Sequence, residues 1–207
     1  AAVEFYSGEL KKKPIAIDYL TGRGLKPETI EKFGLGFASD GWQNLFNFLR
    51  ERGYLPSDIV LAGLIIPSAK RSGEPARTTV QSGRFYDRFR SRIMFPLKDG
   101  SGRVIGFSAR LFGEGEGAKY INSPQTALYD KSRVLYGYAE AKLPIRRADY
   151  CVLVEGQMDL LMSHQAGVTH TVAVSGTALT ATHLELLRRL TNKLIMAFDP
   201  DAAGLGA

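Results

Sequence analysis

The chain has 207 residues, 44% hydrophobic and 10% aromatic, which suffices for one or two globular domains with a real core. One cysteine and three scattered histidines exclude an internal disulfide and a zinc constellation, and no Walker-type phosphate loop is present. No apolar run could cross a bilayer and the first residues carry no signal-peptide pattern, so a cytoplasmic protein with no membrane partner is expected.

Residues 1–13 read as a polar lead-in, either a helical tail or the end of a linker. From Pro14 the pattern turns helical, with Ile15, Tyr19 and Leu20 on one face, and Thr21-Gly22-Arg23-Gly24 stops it. Pro27 opens a second short helix over 28–33, ended by Gly34, and Leu35-Gly36-Phe37 is a brief extended piece. Ser39 or Asp40 can then cap a third helix carrying Trp42, Leu45, Phe46 and Leu49, whose spacing assigns them to the core rather than to a base-stacking platform. Residues 56–63 suit a short helix, Leu64-Ile65-Ile66 a strand, and the polar stretch 67–83 an exposed excursion.

The net charge of +6 is concentrated, because from Arg84 to Arg110 seven basic residues stand against Asp87 and Asp99. Such a field favours a polyanion, nucleic acid first, although a solvated face would account for it equally well. Arg88, Arg90 and Arg92 fall at every second position, so an extended backbone puts them on one face, as a phosphate track requires. Pairing with acids elsewhere is the competing reading. Residues 92–97 and 103–111 have strand propensity and are joined by Lys98-Asp99-Gly100-Ser101-Gly102, a hairpin loop. The GEGEG run at 113–117 is too acidic to cradle phosphate. Lys119-Tyr120-Ile121-Asn122-Ser123-Pro124 reads as a strand running into a turn, in which Tyr120 either stacks on a base or enters the core. A helix over 136–142 follows, and Pro144-Ile145-Arg146-Arg147 leads into a new unit, with the boundary near Ala148.

That unit holds three aliphatic runs, Cys151–Val154, 171–174 and 193–198, separated by two segments of helical period, hence β-α-β-α-β with a parallel sheet. Cys151, at the start of the first run, is expected as a buried thiol. In the second helix, over 180–190, Leu184, Leu187 and Leu190 are expected to face the sheet, with Gly176 allowing a tight turn before it. Glu155 follows the first strand, and Asp199 and Asp201 follow the third, so all three reach the carboxyl rim where open parallel sheets bind ligands. Bringing two carboxylates within about 5 Å costs roughly 3 kcal/mol at an effective dielectric of about 20, which a divalent metal, Mg²⁺ first, would offset. Taken singly, Asp-x-Asp is also a turn or a helix N-cap. Asp159, four residues after Glu155, is a supporting residue behind the metal ligands or a solvated helix charge.

The pieces EGQMDLL, AVSGTALT and FDPDAAG resemble, in order and spacing, the TOPRIM module shared by DnaG-type bacterial primases, topoisomerases and some nucleases. YLTGRGLKPETIEKFGLGFA and YDRFRSRIMFPLKDGSGRVIGFSAR resemble the primase catalytic core outside that module. The resemblance implies an α/β protein, with an N-terminal mixed α+β basic subdomain over 1–147 and a partial TOPRIM (Rossmann-like, parallel sheet) subdomain over 148–207. It implies that Glu155, Asp199 and Asp201 bind catalytic Mg²⁺ or Mn²⁺, that Lys119, Asn122 and Lys131 contact nucleotide and template, and that Arg88, Arg90 and Arg110 balance phosphates. The implied activity is that of a DNA-directed RNA polymerase, a nucleotidyltransferase making short RNA primers from ribonucleoside triphosphates on single-stranded DNA during replication. The family's next acidic strand, its zinc-binding domain and its helicase-binding domain have no counterpart here, so replicative helicase docking is expected elsewhere and this stretch alone is expected to be weakly active or inactive. A TOPRIM nuclease or topoisomerase and a non-enzymatic single-strand binder are the alternatives.

Overall fold

In a computed structural model, residues 1–68, 85–113, 117–176 and 178–198 are described. Two expected loops, the excursion after Pro67 and the centre of the GEGEG run, lie largely outside these residues, as do Arg84, Asp199 and Asp201.

The first residues are part of the core. Helix α1 (Ala2–Lys11) buries Tyr6 and Leu10, one turn apart, against strand β1 (Gly36–Ala38). The approach is so close that a Cβ on Gly36 would lie 2.5 Å from Cβ of Tyr6. Helix α2 (Pro14–Gly22) buries Ala16 and Leu20 and leaves Ile15 61% exposed, so the buried stripe starts one residue later than the sequence suggested. Helix α3 (Pro27–Phe33) ends at Gly34, whose φ of 66° is the left-handed stop that glycine permits.

Helix α4 (Asn44–Glu51) is capped from a distance. Neither Ser39 nor Asp40 serves; the Asp87 carboxylate accepts hydrogen bonds from the backbone N–H of Leu45 at 2.8 Å and Phe46 at 3.0 Å. Helix α5 (Pro56–Leu61) follows, and strand β2 (Ile65–Pro67) pairs antiparallel with β3 (Phe85–Asp87).

The main antiparallel sheet has the order β1-β4-β5-β6, with β4 at Arg92–Lys98, β5 at Val104–Leu111 and β6 at Tyr120–Asn122. The hairpin expected between 92 and 111 is β4–β5, with Ile93 opposite Arg110 and Phe95 opposite Ser108. Both faces are covered. Ile93, Phe95 and Leu97 pack with α2, α3 and the second unit, while Met94 packs with Tyr6, Leu45 and Ile59 on the other side, the period of two expected for a strand.

Helix α6 (Tyr138–Ala148) runs straight through Pro144, which the sequence placed in a connector; burial of Ala141 and Ile145 holds the helix despite the one lost backbone donor. The parallel sheet is as anticipated: β7 (Cys151–Val154), α7 (Gln157–Gln165), β8 (Thr171–Ala173), α8 (Ala181–Arg188) and β9 (Leu194–Met196), in the order β8-β7-β9. Cys151 is fully buried, which pushes its thiol pKa up to about 12. On α8 the inward stripe is His183 and Leu187; Leu184, a quarter-turn off it, is 44% exposed. The two units share one core, because Val154, Leu160 and Ala173 pack with Phe33, Phe95 and Tyr136, and Tyr136 exchanges backbone hydrogen bonds of 2.8 and 3.0 Å with Ala173. No described helix is long and apolar enough to cross a membrane.

Candidate functional site

Glu155 leaves the C-terminal end of β7 and stands in the turn before α7. Asp159 fixes that turn, its carboxylate accepting from the N–H of Gly156 at 3.1 Å. The neighbouring strand ends rise level with it. The Ser175 N–H donates to the Glu155 carbonyl at 3.0 Å, and on the other side the Ala197 N–H donates to Leu153 at 2.9 Å. Leu153 pairs with Met196, so β7 and β9 end at the same rim of the sheet, and Phe198 is the last described residue after β9. Asp199, the next residue, lies outside the described residues with Asp201, so Glu155 is the described member of the expected carboxylate trio.

The segment carrying Lys119, Asn122 and Lys131 is fastened to this rim twice. Asn122 donates from Nδ2 to the Ser175 carbonyl at 3.3 Å, and Thr180 donates from Oγ1 to the Ser132 carbonyl at 2.7 Å. The connection from β8 to α8 is thereby pinned at both ends against residues 122–132, with Lys131 opening the 3₁₀ turn Lys131–Arg133 and Lys119 exposed at the start of β6. Asn122 Oδ1 and Ser175 Oγ are buried and have no hydrogen-bond partner among the described residues. With the Glu155 carboxylate they make the surroundings of the rim oxygen-rich, while Cys151 sits at the far end of β7; that chemistry suits a hard divalent cation. Among the described residues alone, no group of three His, Cys, Asp or Glu could hold a metal.

Arg110, opposite Tyr120 in the sheet, is held between two phenols: Nε donates to the Tyr19 hydroxyl at 2.6 Å and Nη1 to that of Tyr120 at 2.9 Å. Tyr120 is accordingly half-buried, with its hydroxyl committed to Arg110. The expected row of three arginines on one extended face is not formed. Ser91, at φ 50°, breaks the extended backbone, and Arg92 is buried, donating to the carbonyls of Ala109 at 3.4 Å and Ala118 at 3.0 Å. Arg88 is half-buried, and Arg90 lies over the Trp42 ring at 4.0 Å while donating to the Asp87 carbonyl.

Residues 5–142 match the family model for the DNA primase catalytic core, N-terminal domain, and residues 149–207 match the Toprim domain. The chain belongs to the DNA primase catalytic core family. The DNA primase of Deinococcus radiodurans is 42% identical over 193 residues, which are 93% of this chain and 32% of that protein. The RNA polymerase domain of Mycobacterium tuberculosis primase DnaG superposes with a TM-score of 0.87 at 36% identity, covering 99% of this chain and 66% of that one. A DnaG primase catalytic domain bound to single-stranded DNA superposes at 0.81 and 39% identity, covering 99% of this chain and 63% of that one. The chain thus spans about a third of the length of the curated relative, at 32%. The primase resemblance seen in the sequence and the α/β fold class are both confirmed.

One feature of this primase core escaped the sequence. Trp42 is neither in α4 nor in the core; it precedes the helix, 62% exposed, with the Arg90 guanidinium over its ring at 4.0 Å and Tyr86 edge-on at 5.7 Å. The tell-tale signal was Gly41 before it, which interrupts the helical run that had been extended back to Ser39.

Proposed function

We propose that this chain is the catalytic core of a primase that joins ribonucleoside triphosphates into a short RNA primer on a single-stranded DNA template, in the cytoplasm at the replication fork. The observation that carries the reading is the Asn122–Ser175 bond, which sets the Lys119–Lys131 segment against the strand-end rim where Glu155 stands. The acid rim belongs to a unit over 148–207 and the basic surface to one over 1–147.

Glu155, Asp199 and Asp201 would hold Mg²⁺ or Mn²⁺. When bound, the ion neutralises triphosphate charge and aligns the reacting oxygens. Lys119 and Lys131 supply ammonium groups to nucleotide and template phosphates, and Asn122 offers a buried acceptor beside the rim. Asp159 keeps Glu155 in place by closing the turn behind it. Arg110, pre-oriented by its two tyrosines, and the half-buried Arg88 neutralise the strand, while Trp42 and Arg90 present a stacking face to an unpaired base. A relative of this core is bound to single-stranded DNA. The replicative helicase is engaged through parts of the protein other than this chain.

The test uses the full-length protein with single-stranded DNA, ribonucleoside triphosphates and Mg²⁺ or Mn²⁺. New RNA supports the reading; cut DNA would favour a TOPRIM nuclease, and binding without product a non-enzymatic binder.

A further inference from the structure

We propose that Asp87 is a positioning residue for the template strand, holding Trp42 and Arg90 in the paired geometry that faces an unpaired base; the role rests on the reading of that pair given above.

The polar groups of Asp87 end on this face or on the helix behind it. Its backbone N–H donates to the Trp42 carbonyl at 2.7 Å, and its own carbonyl accepts from Arg90 Nη1. Its carboxylate takes one backbone N–H of α4 on each oxygen, Leu45 at 2.8 Å and Phe46 at 3.0 Å. Trp42 precedes Leu45 by three residues, so the tryptophan backbone and the helix start after it are both fixed to one residue of β3. A further tie runs through Phe85, whose carbonyl accepts from Gln43 Nε2 at 2.7 Å. Arg90, three residues after Asp87, then lies 4.0 Å from the centre of the Trp42 ring. Asp87 itself is 3% exposed, so it acts on DNA through these neighbours.

Capping alone does not call for a buried acid drawn from another element. A carboxylate in the exposed approach to the helix, where Asp40 stands, would serve the same amides without burying a charge. Burial pushes the Asp87 carboxyl up to about 6, so above that pH its charge is held against desolvation. What a cap from β3 adds is a fixed separation between the approach that carries Trp42 and the strand that leads to Arg90. With the carboxylate gone, the start of α4 is released from β3 and the ring is free to leave the guanidinium.

The test reads the Kd of the full-length protein for a single-stranded DNA oligonucleotide by fluorescence anisotropy at about pH 8, where the carboxylate is charged. Asp87→Asn removes a negative charge from beneath a surface that binds a polyanion, so electrostatics alone would tighten binding. Positioning predicts the opposite sign: about fivefold weaker binding in Asp87→Asn, which keeps the size of the side chain, and at least as large a loss in Asp87→Ala. In a Trp42→Ala background the effect of Asp87→Asn falls below about twofold, because both act through one ring. Weak binding by Trp42→Ala beside wild-type or tighter binding by Asp87→Asn overturns the proposal and leaves the stacking face standing. An Asp87→Asn loss that persists undiminished in Trp42→Ala does the same. Wild-type affinity in Trp42→Ala instead removes the stacking face, and the proposal with it. Amide hydrogen exchange reads the anchor without DNA: Leu45 and Phe46 exchange faster in Asp87→Asn while residues 93–97 of β4 are unchanged, and equal exchange at Leu45 and Phe46 overturns the proposal.

Discussion

Gln157 donates from Nε2 to the hydroxyl of Ser108 at 2.6 Å with both side chains buried, so the first turn of α7 is bolted to the middle of β5. Glu155 lies two residues before Gln157, and its position is inherited from this bond. Gln157→Leu strands the Ser108 hydroxyl in the core, and a loss of about 1–3 kcal/mol in urea denaturation is expected. Primer synthesis should fall with it; unchanged stability would show that the bond is not fastening the units.

Gly137, the residue before α6, has a φ of 77° and packs against α7 of the second unit, where a Cβ would meet Leu160 Cδ1 at 2.5 Å. Strain and overpacking act together in Gly137→Ala, so a destabilisation of at least about 2 kcal/mol is expected from the shift in urea midpoint. A change within about 0.5 kcal/mol, the usual range for surface sites, would contradict the packing described.

The parallel sheet was legible because its signals are local. Cys151–Val154 and the runs at 171 and 193 are short, aliphatic and bounded by turn residues, and the hairpin of β4 and β5 is marked by its glycine-bearing loop. What the sequence hid depends on contacts between distant segments. Asp87 caps α4 from 42 residues away, a partnership that exists only once β3 lies beside that helix. The same tertiary override buried Arg92 on carbonyls of β5 and of the approach to β6, and left Trp42 facing solvent where helical spacing had placed it inside. At the site, the residue types of the rim were readable, whereas the double fastening at Asn122 and Thr180 was not, since both bonds end on backbone carbonyls that carry no sequence signature.

Because Trp42 is exposed, Trp42→Ala should leave stability within about 0.5 kcal/mol. Loss of a stacking face should weaken single-stranded DNA binding by about tenfold or more while the dependence of affinity on salt stays the same, since no charge is removed. Arg90→Gln should instead flatten that salt dependence. Fluorescence anisotropy across a salt series separates the two, and equal affinity of Trp42→Ala and wild type would remove Trp42 from the strand's path.

Burial raises the Asp87 carboxyl from its ordinary 3.8 to about 6, despite the backbone donors of α4 that favour its charge. The folded state therefore holds this proton more tightly than the unfolded one, so the associated stability is complete below about pH 4 and is lost as pH rises through about 6. Measured as wild type minus Asp87→Asn, unfolding free energy should fall by roughly 2 kcal/mol between these limits. A difference that is flat, or that grows with pH, would show that Asp87 is not held this way.

Glu155→Gln in the full-length protein, assayed for RNA made on single-stranded DNA with Mg²⁺ or Mn²⁺ and in parallel for DNA affinity, puts the proposed chemistry at most direct risk. Removing one carboxylate of a metal site should lower RNA synthesis by about a thousandfold or more while DNA binding stays within about twofold. Primer synthesis at the wild-type rate by Glu155→Gln would contradict the assignment of the acid rim as the catalytic centre.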